Sequence, residues 1–146
     1  MSLDYEAWCE GEPDLPAIAR TSTLIMRTLL GVDNTAVTPV GEDDRFWTLH
    51  WGSAAFAQVI VSGPEHAEVP GRWSLTAEQG HRGVKLDELL ALVVVAAAAL
   101  TRGGDVVDEA GRLPDRVNEP QALLLRALRA GPVGPDELVR RLRADG

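Results

Sequence analysis

The stretch from Arg45 to Val61 constrains the fold more than any other. Two aromatic, β-branched and apolar runs flank Gly52-Ser53, the pattern of a β-hairpin. Gly followed by a small polar residue fits a two-residue type II′ turn, whose first position needs φ > 0. That turn predicts a register: Trp51 opposite Ala54, Leu49 opposite Phe56, Trp47 opposite Gln58, and Arg45 opposite Ile60. Opposed residues share a face. One face is thus expected to carry Trp47, Leu49, Trp51, Phe56 and Ile60, and the other Phe46, Thr48, His50, Ala55, Ala57, Val59 and Val61. Neither set is polar, so the ribbon has to be covered from both sides. Where the chain's own helices cover only one side, an exposed apolar face marks an interface, and Trp is enriched among the residues that dominate binding.

The rest of the chain supplies the covering elements. Residues 1–13 are expected to form a frayed acidic lead broken at Glu10-Gly-Glu-Pro13. Leu15, Ile18, Ala19, Ser22, Ile25, Met26 and Leu29 fall on one helical face, with Pro16 tolerated in the first turn and Gly31 as the stop. Met26 at that spacing fills core. Residues 35–40 read as a strand ended by an acidic turn at Gly41–Asp44, and residues 72–78 as another, with Trp73, Leu75 and Ala77 on one side. Leu89 to Leu100 is apolar without a break: too short to span a bilayer, and fitted to a buried helix with Asp87 and Glu88 in its first turn. Asp105-Val-Val is a possible fifth short strand. A helix opened by Asn118 as N-cap runs to Ala130, and a last one starts at Pro135. The expectation is an α+β fold: an antiparallel four- to five-stranded meander packed by two helices over residues 1–112, with a C-terminal helical pair over 113–146 on or beside it.

Charge divides the chain unevenly. Residues 1–70 hold eleven acids against three Arg, whereas residues 71–146 hold eleven of each sign, within a formal net charge of −8. An acidic half repels phosphate backbones and anionic membranes and suits a basic partner protein. A single cysteine, Cys9, excludes an intrachain disulfide and a thiolate metal cluster. The acidic N-terminus lacks a basic-then-apolar signal pattern, which places the chain in a reducing cytoplasm. Thirteen Arg to one Lys, with abundant Ala, Gly and Val, reads as a bacterial base bias.

Candidate chemistry is thin. His50, His66 and His81 are the only histidines, with no His-x-x-x-His, Cys-x-x-Cys or His-Glu-x-x-His spacing. They are weak ligand or acid–base candidates, as is Arg82 in Gly80-His81-Arg82-Gly83, a connection with exposed N–H groups ahead of a helix. It matches neither phosphate-binding glycine pattern. The acidic turn at Gly41–Asp44 lacks the alternating ligands and closing Glu of a calcium loop. No catalytic residue, metal or cofactor is expected.

Two resemblances accompany this reading. Residues 123–142, Leu-Leu-Leu-Arg-Ala-Leu-Arg-Ala-Gly-Pro-Val-Gly-Pro-Asp-Glu-Leu-Val-Arg-Arg-Leu, resemble the opening two helices of a winged-helix DNA-binding domain. The sequence ends at Gly146, where a recognition helix would begin, so nucleic acid is not the expected partner. The order of elements resembles that of small acidic bacterial secretion chaperones and of some toxin-immunity proteins. The expectation is a non-enzymatic chaperone-, adaptor- or immunity-like protein, homodimeric or bound to a protein partner through Trp47, Leu49, Trp51, Phe56 and Trp73. The alternatives are a small enzyme or ligand-binding domain around His50, His66 or His81, and an accessory of a DNA-binding regulator.

Overall fold

A computed structural model of the chain describes residues 5–43, 45–65, 71–108, 110–131 and 133–143. Its organising element is helix α2, Lys85–Arg102, which ends where Gly103 turns to φ 62 and donates its N–H to the Ala99 carbonyl. Every residue from Leu89 to Ala99 is buried. A helix that is apolar all round has to be surrounded, and α2 is. The sheet lies on one side, helix α1 (Leu15–Leu30) alongside, and helices α3 (Pro120–Arg129) and α4 (Pro135–Leu142) pack against it as well. Leu123, Ala127, Leu138, Val139 and Leu142 of α3 and α4 join the same core. Among the described residues no helix is long and apolar enough to cross a membrane.

The fold is α+β, as expected, but the strands number seven. They are β1 (Tyr5–Cys9), β2 (Val37–Asp43), β3 (Phe46–Trp51), β4 (Ala55–Ser62), β5 (Trp73–Gln79), β6 (Gly104–Val107) and β7 (Val117–Asn118). They form one antiparallel sheet in the order β2-β3-β4-β5-β1-β6-β7. The acidic lead is therefore not frayed from Tyr5 on. Tyr5, Ala7 and Cys9 alternate with Glu6 and Trp8, and the strand slots between β5 and β6 with its odd-numbered side chains buried. Five residues interrupted by an acid, Glu6, gave too short a run to be read as a strand, yet pairing on both edges satisfies the backbone. Gly104 is what admits it: a Cβ there would lie 1.7 Å from the Trp8 carbonyl oxygen.

The hairpin register also differs from expectation. The loop holds three residues, Gly52, Ser53 and Ala54, with the Ala54 N–H donating to the Trp51 carbonyl at 3.1 Å. Trp51 therefore pairs with Ala55, Leu49 with Ala57, Trp47 with Val59, and Phe46 with Ile60. A one-residue slip sends every side chain of the second strand to the other face. The physical reason is the fate of Gln58. A two-residue turn would set its amide beside Trp47 in the core, whereas the longer loop leaves it exposed beside Thr48. Trp47, Leu49, Trp51, Ala55, Ala57, Val59 and Val61 gather on one face, and Phe46, Phe56 and Ile60 share the other.

Two further boundaries move. Asn118 does not cap α3; Glu119 occupies that position ahead of Pro120. Asn118 is instead buried in β7, where its amide donates to the Asp115 carbonyl and accepts from Arg126. Residues 41–43, expected in an acidic turn, belong to β2, which carries a bulge between Pro39 and Glu42. A Pro and a bulge on an edge strand close that edge to strand addition.

Candidate functional site

Among the described residues the four helices pack on the core face of the sheet, and the other face is free of helices. Pairing carries one set of side chains across it: Thr38, then Phe46, Thr48 and His50, then Phe56, Gln58 and Ile60, then Ser74, Thr76 and Glu78, then Glu6 and Trp8, then Asp105. Phe46 and Ile60 are cross-strand partners and stand 43% and 51% exposed. Further out on β7, Val117 is 48% exposed. The charged side chains at these register positions are Glu6, Asp43, Glu78 and Asp105, and the Arg72 guanidinium, from just before β5, lies 3.7 Å from Asp105. Glu6 is held in place: its Oε1 accepts from the Trp8 indole at 3.0 Å and from the Ser74 hydroxyl at 2.6 Å.

The residues expected to form the interface divide between the two faces. Trp47, Leu49 and Trp51 are buried at 5%, 0% and 4% exposure and serve the chain's own core. Trp73 is half-buried at the end of that face, with the Arg45 guanidinium 5.1 Å from its ring. Phe56 alone of the five lies on the helix-free face. The cause is the register: the core takes the Trp-bearing side of β3 together with the small residues of β4.

Phe56 brings two of the three candidate histidines together. Its ring lies flat over Gly80, where an added Cβ would meet ring carbons at 2.6 Å. His50 stacks on it at 5.4 Å, and His81 meets it edge-on at 4.9 Å. The His81 ring is oriented from behind. Asp87 Oδ2, in the first turn of α2, accepts the His81 backbone N–H at 2.6 Å and lies 2.8 Å from ring Nδ1. Asp87 is fully buried, while the His81 side chain is 62% exposed. A carboxylate on Nδ1 favours the tautomer whose Nε2 lone pair points away from it. His66 lies outside the described residues. Arg82 is exposed on the connection. Among the described residues no group of three His, Cys, Asp or Glu side chains could hold a metal.

A buried polar network lies on the helical side. The Tyr5 hydroxyl donates to Glu88 Oε2 at 2.8 Å, and Glu88 Oε1 faces Lys85 at 3.4 Å and Arg143 at 3.5 Å. The Arg112 guanidinium sits 4.0 Å over the Tyr5 ring and lies 3.5 Å from Asp108, whose other oxygen accepts the Leu113 N–H. Burial, and then the Glu88 charge, push the Tyr5 phenol well above its ordinary range. Burial likewise pushes the Cys9 thiol up to about 11, which leaves it inert at neutral pH. These groups tie β1, α2 and the end of α4 together. Sequence reasoning missed them because Tyr5 sat in the presumed lead. The one available signal was a pair of acids opening an otherwise apolar helix.

No protein-family model matches the chain, and no curated protein or solved structure does either.

Proposed function

We propose that this chain is a non-enzymatic protein-binding module, of the chaperone, adaptor or immunity kind, that holds a partner protein against the helix-free face of its sheet. The observation that carries the reading is the Phe46–Ile60 pair: two large apolar side chains, adjacent and half in water, on a face whose register positions also carry Glu6, Asp43, Glu78 and Asp105. Exposed apolar surface of this kind marks an interface, and the acids select a basic partner. Two copies meeting about a two-fold axis would present the same acidic patch to each other, so a basic partner fits better than a second copy. The bulged, proline-bearing edge of β2 favours contact through the face over strand addition at the edge.

The test uses a photo-crosslinking residue at position 60. The captured protein is identified, purified and titrated against the chain by calorimetry. A basic partner should bind more weakly as salt rises, and Phe46→Glu with Ile60→Glu should cost at least about tenfold in Kd. Unchanged affinity in that folded double variant would defeat the proposal. A doubled mass in light scattering, returned to one chain by Ile60→Glu, would replace the foreign partner with a second copy.

A second reading, a small ligand-binding or enzymatic site, draws support from one observation: Asp87 orients His81 beside Phe56 and His50. It lacks a neighbouring nucleophile. A ligand that shifts the His50 and His81 ring resonances together, and fails to do so in His81→Gln, would favour it.

A further inference from the structure

The outer side of the helical layer carries leucines in water. Leu24 of α1 is 65% exposed, and Leu128 and Leu125 of α3 are 50% and 46% exposed. Single exposed leucines are ordinary, but Leu24 and Leu128 border one opening. Leu24, Ile25 and Thr28 of α1 face Leu124 and Leu128 of α3 across one apolar trough of about 170 Å³. It exists because α1 and α3 each pack on α2 more closely than on one another.

Charge around the trough runs against the rest of the molecule. The two helices that wall it carry Arg20, Arg27, Arg126 and Arg129 and not one acid, in a chain of formal net charge −8. Arg27 is tied to the Thr35 carbonyl and Arg126 to Asn118. Arg20 and Arg129 are exposed. Arg20 lies one turn before Leu24 on the same helical stripe, and Arg129 directly follows Leu128. Two helices held apart on a third form the kind of groove into which the ridge of another helix fits.

We infer that the trough between α1 and α3 is a docking site for an amphipathic helix of a partner protein, whose apolar ridge enters between Leu24 and Leu128 and whose flanks are acidic. A second copy about a two-fold axis would set Arg20 and Arg129 against the same arginines. A hydrophobic surface without acids would leave them unpaired. The trough lies on the side of the sheet remote from Phe46 and Ile60, so this inference and the proposed sheet-face partner stand or fall separately.

The test is fluorescence anisotropy of a dye-labelled synthetic helix of about 18 residues, with Leu at i, i+4 and i+7 and Glu on both flanks. A second probe carries Lys in place of Glu. The acidic helix should saturate, with the Lys version at least about tenfold weaker. Leu24→Asp and the double variant Arg20→Glu with Arg129→Glu should each lose about tenfold, while Ile60→Glu should bind as the wild type does. All these positions are exposed, and if Leu24→Asp should misfold by circular dichroism, the arginine double variant still decides. Equal binding of both helices, full affinity in the arginine variant, or no saturation by about 1 mM peptide would overturn the inference. A chain that doubles its mass without peptide, and reverts with Leu24→Asp, would give the trough to a second copy.

Discussion

Replacing Tyr5 by Phe tests whether the N-terminal strand is seated where the sheet needs it. The substitution keeps the ring under the Arg112 guanidinium and deletes one hydroxyl, which donates at 2.8 Å to the buried Glu88 carboxylate. A hydrogen bond to a charged group contributes about 1.5–3 kcal/mol, and the carboxylate left behind stays buried. The expected loss is thus about 2 kcal/mol, or roughly 5 °C in Tm for a domain of this size. Urea unfolding followed by circular dichroism measures it. Glu88→Gln completes a double-mutant cycle, in which the two losses should fall short of additivity by about 1 kcal/mol or more. The pH dependence adds a sign. The phenol is raised in the folded state, so its contribution is present below the ordinary value of 10.0 and lost as pH rises above it. The gap between wild type and Tyr5→Phe should therefore close in alkali. A loss under about 0.5 kcal/mol, with additive cycles, would refute the bond and the placement of the strand that carries it.

Other expectations are simpler. Gly104→Ala must push β6 off the Trp8 carbonyl, 1.7 Å from the new Cβ, and should cost at least about 3 kcal/mol in urea unfolding; an unchanged midpoint would contradict the β1–β6 pairing. Cys9, fully buried with its thiol pushed up to about 11, should react with an aromatic disulfide at pH 8 only as fast as the chain unfolds. Fast labelling of the native protein would put it at the surface. Arg140 and Arg141 hold the Glu137 carboxyl at about 2, so its contribution to α4 is present above the ordinary 4.5 and fades as pH falls toward 2. Hydrogen-exchange protection in α4, taken relative to the intrinsic rate at each pH, should fall across that interval, and Glu137→Gln should abolish the change.

How far the chain could be read from its residues depended on whether the signal was local. The α1 stripe from Leu15 to Leu29, with Gly31 as its stop, is a 3.6-residue period and was legible. So was α2, because twelve apolar residues in a row admit few alternatives. The hairpin register was not, since Gly52-Ser53 suits a two-residue turn and only the burial of Gln58 beside Trp47 argues against it. β1 was hidden for a different reason: its partners, Ala77 and Val107, lie far along the chain, and no local pattern reports them. The sheet-face candidates inherited the register error. Phe56 moved away from Trp47, Leu49 and Trp51, and met His50 and His81 instead. The pairing of His81 with Asp87 was within reach as an acid in a helix's first turn answering the connection before it.

Because β1 closes the gap between β5 and β6, a sheet lacking it would fall into two pieces. Without Tyr5–Cys9 the facing edges of β5 and β6 would be bare. Closing the loop from β1 to β6 is slow. A copy is thus at its most adhesive before β1 docks, and removing Tyr5–Cys9 should leave a chain that sticks to others of its kind.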